Sequence, residues 1–243
     1  MPETSVEHVA VVIPARDEER TVAGAVHAVR TAALNLPPGL TVDVVVVADA
    51  CSDRTAEVAL AAGAHVVVAT EGNVGAARAL GCAWALDRAD DEAVTWLACT
   101  DADSVVPPRW LLRQLEVAAS GADLFLGTVA LPRTDAARHS RWLRDYRRHR
   151  AAGRATGHGH VHGANLGVRA SAYVAVGGFR DLAVHEDADL AERLLAEGVA
   201  PAWVSDAAVT TSARHHSRVT GGVATDLAAA DPRVLGDPED TAA

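Results

Sequence analysis

The sequence predicts an α/β fold: one mostly parallel, doubly wound sheet with helices on both faces. Three observations carry that reading. Short valine-rich runs alternate with longer segments of helical character, which is the pattern of βαβ units and right-handed crossovers. The runs are nearly continuous in apolar residues, as strands buried on both faces require. Polar and acidic residues collect immediately after them. A chain of 243 residues admits one large α/β domain or two small ones. The series of alternating elements favours one, over residues 1–228.

The elements follow in order. His8 to Pro14 (HVAVVIP) is the first buried strand, ended by its proline. Asp17-Glu18-Glu19 and TVAGAVHAVRTAAL read as a helix with acids in its first turn. After the Asn35–Gly39 loop, Val42 to Val47 is the second strand and Asp53 to Ala62 the second helix. His65 to Ala69 is a third strand, followed by a Gly-Asn turn and a helix from Gly75 to Asp87. Val94 to Cys99 is a fourth strand running into Thr100-Asp101-Ala102-Asp103. Past Pro107 come a helix from Pro108 to Ala119, a strand from Leu124 to Leu131, and an arginine-dense stretch, Arg133 to Arg154. The histidine-rich GHGHVHGANLGVRAS, a Gly177-Gly178 turn, a helix from Glu186 to Glu197 and a strand from Ala207 to Thr211 complete the domain. Residues 229–243, with Gly236, Pro238 and several acids, read as a disordered acidic tail. No internal repeat is present.

Composition excludes several chemistries. All 22 basic residues are arginine, and the net charge is −10. Without lysine there is no P-loop, no pyridoxal Schiff base and no kinase strand lysine. The acidic balance argues against nucleic-acid binding. Cys51, Cys82 and Cys99 are odd in number and widely spaced, which fits a reducing compartment. The first residues are acidic and polar rather than those of a signal peptide, and no stretch reaches the ~20 apolar residues of a membrane span. A soluble, cytoplasmic protein is expected.

Ligands of open parallel sheets bind beyond the carboxyl ends of the strands. Those positions hold Pro14 to Glu18, Asp49 to Asp53, Glu71 to Gly75 and Asp101 to Ser104. No GxGxxG follows the first strand, which argues against a dehydrogenase. Asp101-Ala102-Asp103 is the most informative triplet. Two carboxylates one residue apart at a strand end can share Mg²⁺ or Mn²⁺ together with substrate phosphates. Alone, such a triplet is also what a solvated acidic turn looks like.

Six blocks carry a resemblance: VVIPARDEERTVAGAV, VVVVADACSDRTAEVA, EGNVGAARALG, TDADSVVPPRWL, GANLGVRASAYVAVGGF and HEDADLAERL. Together they span about residues 9 to 220 and resemble a family 2 glycosyltransferase of the GT-A fold. The resemblance implies a nucleotide-diphosphate sugar donor, a Mn²⁺ or Mg²⁺ cofactor, a nucleotide-binding half over 1–105 and an acceptor half over 106–228. It implies that Pro14, Ala15, Arg16 and Glu18 embrace base and ribose, and that Asp49 contacts the base. The family has a further aspartate where this chain has Ala48, so both UDP and GDP remain open. Asn73, Gly75 and Arg78 match the loop and helix start near the nucleotide; arginine can also meet phosphate bidentately. Asp101, beside Ala102, would contact ribose or metal-bound water, and Asp103 would ligate the metal. Asp187 would be the base of an inverting enzyme, with Glu186 contacting acceptor or backbone. Acids in a first helical turn also favour the macrodipole, which is the structural alternative.

His215 or His216 would supply a third metal ligand or phosphate contact, as in some GT-A enzymes; a loop histidine without function is the alternative. His158, His160 and His162 share one face if extended. Zinc binding is one reading; lining the acceptor site, preferred here, is the other. Arg133 to Arg154 holds eight arginines against Asp135 and Asp145, with Trp142 and Tyr146 interleaved. It reads either as a solvated helix or as a site for an anionic acceptor, small-molecule, lipid or glycan, or for an anionic membrane surface. Peripheral membrane association and a homodimer are left open. Two rival functions remain. One is a retaining GT-A transferase of the glucosyl- or mannosylglycerate type. The other is a catalytically silent nucleotide-binding module.

Overall fold

A computed structural model describes residues 5–132, Tyr146 and residues 158–212. The strands are β1 (His8–Ala15), β2 (Thr41–Asp49), β3 (His65–Ala69), β4 (Thr95–Cys99), β5 (Ser104–Val105), β6 (Leu124–Ala130), β7 (Leu166–Arg169) and β8 (Pro201–Thr211). The helices are α1 (Val22–Ala33), α2 (Thr55–Ala61), α3 (Val74–Leu86), α4 (Trp110–Ala119), α5 (Ala170–Ala175) and α6 (Glu186–Ala196). One eight-stranded sheet runs in the order β3-β2-β1-β4-β7-β6-β8-β5.

Strand alternation builds two cores. Val9, Val11 and Ile13 of β1 face one side with Val44, Val46, Trp96 and Ala98, under α1, α2 and α4. Ala10 and Val12 face the other side with Val45, Leu97 and Cys99, under α3, α5 and α6. Successive side chains of a strand point to opposite faces, so strands covered on both sides become continuously apolar. The expected doubly wound arrangement is therefore present, and β1 to β4 pair in parallel.

The second half departs from the simple βα series. β7 is inserted antiparallel between β4 and β6, and β5 caps the far edge antiparallel to β8. Neither strand, nor α5, was expected from the sequence. β7 is only four residues, LGVR, and each of its positions is buried, so it has no alternation to read. Asn165, fully buried just before it, donates to Thr128 O and Ala207 O and accepts from the Trp110 indole. One amide thus ties β6, β8 and α4 together. The expected acidic first turn of α1 is also corrected: the helix begins at Val22 and that turn carries no acid. Asp17, with φ 50°, lies with Glu18 and Glu19 in the preceding loop.

α3 lies against the sheet through Gly81, where a Cβ would press on Val12 and stand 3.1 Å from Val47. Overpacking costs about 1–3 kcal/mol. Gly81→Val is expected to lower Tm by roughly 2–4 °C for each kcal/mol; thermal denaturation checks this, and an unchanged Tm would contradict the close approach.

Candidate active site

β1 is the pivot of the parallel half, because β2 and β3 extend to one side and β4 to the other. A crevice opens beyond the carboxyl ends of strands at such a reversal. The loops after β1, β2 and β3 are bonded to one another there. Asp17 accepts from the Ser52 N–H at 2.6 Å and the Ser52 hydroxyl at 3.0 Å, and the Glu19 N–H donates to Asp53 at 3.1 Å. The Glu18 N–H donates to Thr55 at 2.7 Å, while the Glu18 carboxylate accepts from Thr21. Asp49 accepts from the N–H groups of Gly72 and Asn73 at 2.9 and 2.8 Å. Asn73 caps α3, accepting from the Gly75 and Ala76 N–H groups. Arg16 donates to Gly72 O.

Among the described residues, Asp17, Ala50 and His185 are the non-glycine residues with positive φ, at 50°, 49° and 61°. All three lie in the loops at this edge or at the mouth of α6. Side chains pay about 1–2 kcal/mol to adopt that backbone, and such strain concentrates at functional sites.

The centre of the site is Arg78. It lies on α3 and is only 2% exposed. Its Nη2 donates to Asp101 at 2.6 Å, its Nε to Glu186 at 3.0 Å and its Nη1 to Gly163 O at 3.1 Å. Burial opposes its charge, but Asp101 and Glu186 outweigh that and raise the guanidinium pKa. The Gly163 N–H in turn donates to Asp187 at 2.6 Å, and the other Asp187 oxygen accepts from the Ala188 N–H at 2.8 Å. Asp101 and Asp187 are therefore brought to one place from the end of β4 and the start of α6. Arg78 is turned inward among protein partners, whereas the sequence suggested a phosphate contact. Glu186 likewise faces Arg78. Pro14 and Ala15 end β1, and Ala102 is buried beneath the Asp101–Asp103 turn.

Asp101, Glu186 and Asp187 set three carboxylates against one guanidinium, with Asp103 two residues along. The Asp101 side chain is 35% exposed, and only its Oδ1 is bonded to Arg78. A group that could hold a metal ion is Asp17, Cys51 and Asp53, whose donor atoms lie within 4.8 Å of one another. It is the one three-residue group of this kind among the described residues. Sequence reading missed it because its members come from two separate loops. Gly163 was missed for another reason: it acts through its peptide, so its residue type carries no chemical signal.

The histidine trio does share a face. The rings of His158, His160 and His162 stack at 5.9 and 5.8 Å, and Tyr146 stacks on His160 at 4.2 Å. Parallel stacking spreads the ring nitrogens along the row instead of converging them on one ion. The His158 Nδ1 accepts from the His160 N–H, so its Nε2 donates to Leu126 O. His215, His216, residues 229–243 and the Arg133–Arg154 stretch apart from Tyr146 lie outside the described residues.

Comparison with known proteins decides the family. The profile of Glycosyl transferase family 2 matches residues 10–177. The chain belongs to this family. No curated protein matches it by sequence. Solved glycosyltransferases share its fold. TarS residues 1–349 of S. aureus, in complex with UDP, superposes with TM-score 0.61 at 13% identity, over 93% of this chain and 70% of that one. The mannosyltransferase PcManGT of Pyrobaculum calidifontis, with GDP-Man and Mn²⁺, gives 0.63 at 19%, over 83% and 56%. This chain thus spans little more than half the length of that enzyme. Glucosyl-3-phosphoglycerate synthase of Mycobacterium tuberculosis, with Mn²⁺, UDP and glucosyl-3-phosphoglycerate, gives 0.58 at 17%, over 94% and 77%. The family transferase has its expected GT-A architecture, and no helix of the described residues is long and apolar enough to cross a membrane.

Burial, then the neighbouring His160 and His158, pulls the His162 pKa from 6.5 down to about 4. The fold favours the neutral ring, so its contribution is complete above pH 6.5 and is lost as pH falls toward 4. The transferase is expected to lose about 1–2 kcal/mol from this group by pH 5. Thermal melts from pH 7 to 5 should fall less steeply for His162→Gln; parallel curves would remove the assignment.

Proposed function

We propose that the chain is a metal-dependent glycosyltransferase that moves a sugar from a UDP- or GDP-sugar to an acceptor hydroxyl with inversion. The convergence of Asp101 and Asp187 on Arg78 and Gly163 carries this reading. It sets the donor-side acid and the acceptor-side acid on one buried frame at the reversal of strand order.

The roles follow from the contacts. The Pro14–Glu18, Asp49 and Asn73 loops form the wall against base and ribose over residues 1–105, and residues 106–228 receive the acceptor. Asp103, with Asp101, would hold Mn²⁺ or Mg²⁺, which when bound neutralises charge on the departing nucleotide diphosphate. Arg78 is committed to protein partners, so that neutralisation falls to the metal. His215 is assigned as the further ligand. Asp187 takes the proton of the acceptor hydroxyl as its oxygen attacks the anomeric carbon and the nucleotide diphosphate leaves from the opposite face. The two backbone N–H bonds orient the Asp187 carboxylate while each oxygen keeps lone-pair capacity. Glu186 holds Arg78 rather than the substrate.

Arg133–Arg154 is assigned to an anionic acceptor or membrane surface, and the free Cys51, Cys82 and Cys99 suit a cytoplasmic setting. A retaining enzyme would use the same donor edge, as would a silent nucleotide-binding module. NMR of the product anomer separates the first from inversion, and any turnover excludes the second.

A thermal-shift series with UDP, GDP and their sugars, with and without Mn²⁺, tests donor binding. A nucleotide at a hundred times its Kd stabilises the fold by about 2.7 kcal/mol. Mn²⁺ is expected to strengthen that shift in the wild type and not in Asp103→Ala; no shift with any nucleotide would remove the reading. Asp187→Asn is expected to keep the shift but slow transfer roughly 10²–10⁴-fold, and full activity would exclude it as base.

A further inference from the structure

We propose that Arg78 is a positioning residue that, through the Gly163 peptide, fixes the base Asp187 relative to the donor-side Asp101. The inference rests on the reading of Asp187 as base and extends it to groups that touch no substrate. Four observations support it. Arg78 is buried, so it cannot serve as an exposed phosphate ligand. It meets three partners from three segments: the end of β4, the start of α6 and the Gly163 turn. The Gly163 peptide passes the contact on, accepting from Arg78 at its C=O and donating to Asp187 from its N–H. Because Glu186 and Asp187 are adjacent, the path Arg78–Glu186–Asp187–Gly163–Arg78 closes on itself, with Asp101 attached at Nη2.

A closed ring of this kind restricts the base more than a single bond does. Asp187 cannot shift without breaking its Gly163 bond or dragging Glu186 off the guanidinium. Gly163 must also be glycine for contact reasons, because a Cβ there would strike the Arg78 guanidinium. The planar guanidinium is what allows three directions to be held at once. Lysine keeps the charge but is a point donor without that fork. Misplacing a reacting group by about 1 Å can cost on the order of 10²-fold in rate.

The experiment compares wild type, Arg78→Lys, Asp187→Asn and the double variant. One readout needs no substrate: hydrogen exchange at the Gly163 amide, followed by NMR. The other is Mn²⁺-dependent hydrolysis of saturating UDP-glucose or GDP-mannose, with water as acceptor. Arg78→Lys is expected to speed Gly163 exchange at least tenfold, leave the β1 amides protected and slow hydrolysis at least tenfold. In the Asp187→Asn background the same substitution should add less than twofold, since contacts acting through one group are not additive. Unchanged Gly163 protection, or losses that multiply in the double variant, would overturn the positioning role while leaving the base reading intact. Full hydrolysis by Asp187→Asn alone would overturn both. Should Arg78→Lys fail to fold, Gly163→Ala keeps every charge and displaces the guanidinium, and the same pattern is expected of it.

Discussion

The constraint on which the site depends is a charge that cannot be discharged. Arginine stays protonated in proteins, so Arg78, 2% exposed, must be met by carboxylates or the fold loses several kcal/mol. Meeting it requires Asp101 and Glu186 at 2.6 and 3.0 Å, from elements far apart in the chain. The second face of the sheet is organised by this demand. α3 packs closely on β1 and β2 through Gly81, three residues along from Arg78. α6 must then bring its first residue inward. His185, with φ 61°, makes the turn that allows it. The strain at His185 and the burial of Arg78 are two parts of one arrangement.

The same arrangement explains how an acidic, lysine-free chain can work with phosphates. The guanidinium is committed internally and outnumbered by carboxylates, so the crevice it supports is negative. In the proposed reading, a negative crevice would repel a nucleotide diphosphate unless a divalent cation lay between them.

Legibility in the sequence followed burial. β1, β2, β3 and β4 could be read within two residues because covered strands must be apolar throughout and the helices between them have their own period. β7 and β5 could not, since four and two residues are too few for either period. The clustering of the strand-end loops was legible because topology alone puts them at one edge. The direction of individual side chains was not. An arginine at a helix start and a glutamate beside the proposed base look substrate-facing in sequence. Only the third dimension shows that Arg78 and Glu186 face each other. Asn165 was equally silent: its block was recognisable, but an amide that ties three elements together looks like any other asparagine.

Ala48 shows how such packing also explains a departure. It pairs with Ala15 at the last step of the β1–β2 ladder and is 1% exposed. An aspartate there would place a carboxylate out of water beside Asp49, which is also buried. An unpaired buried charge costs far more than a solvated one. Asp49 escapes that cost because both of its oxygens accept backbone N–H bonds from Gly72 and Asn73. Those bonds also fix the loop that Arg16 touches from the opposite side and set Asn73 as the cap of α3. Asp49 thus shapes the wall of the crevice. It orders the start of the helix that carries Arg78, so the strand-end loops and the guanidinium at the centre of the site are built by one continuous chain of contacts.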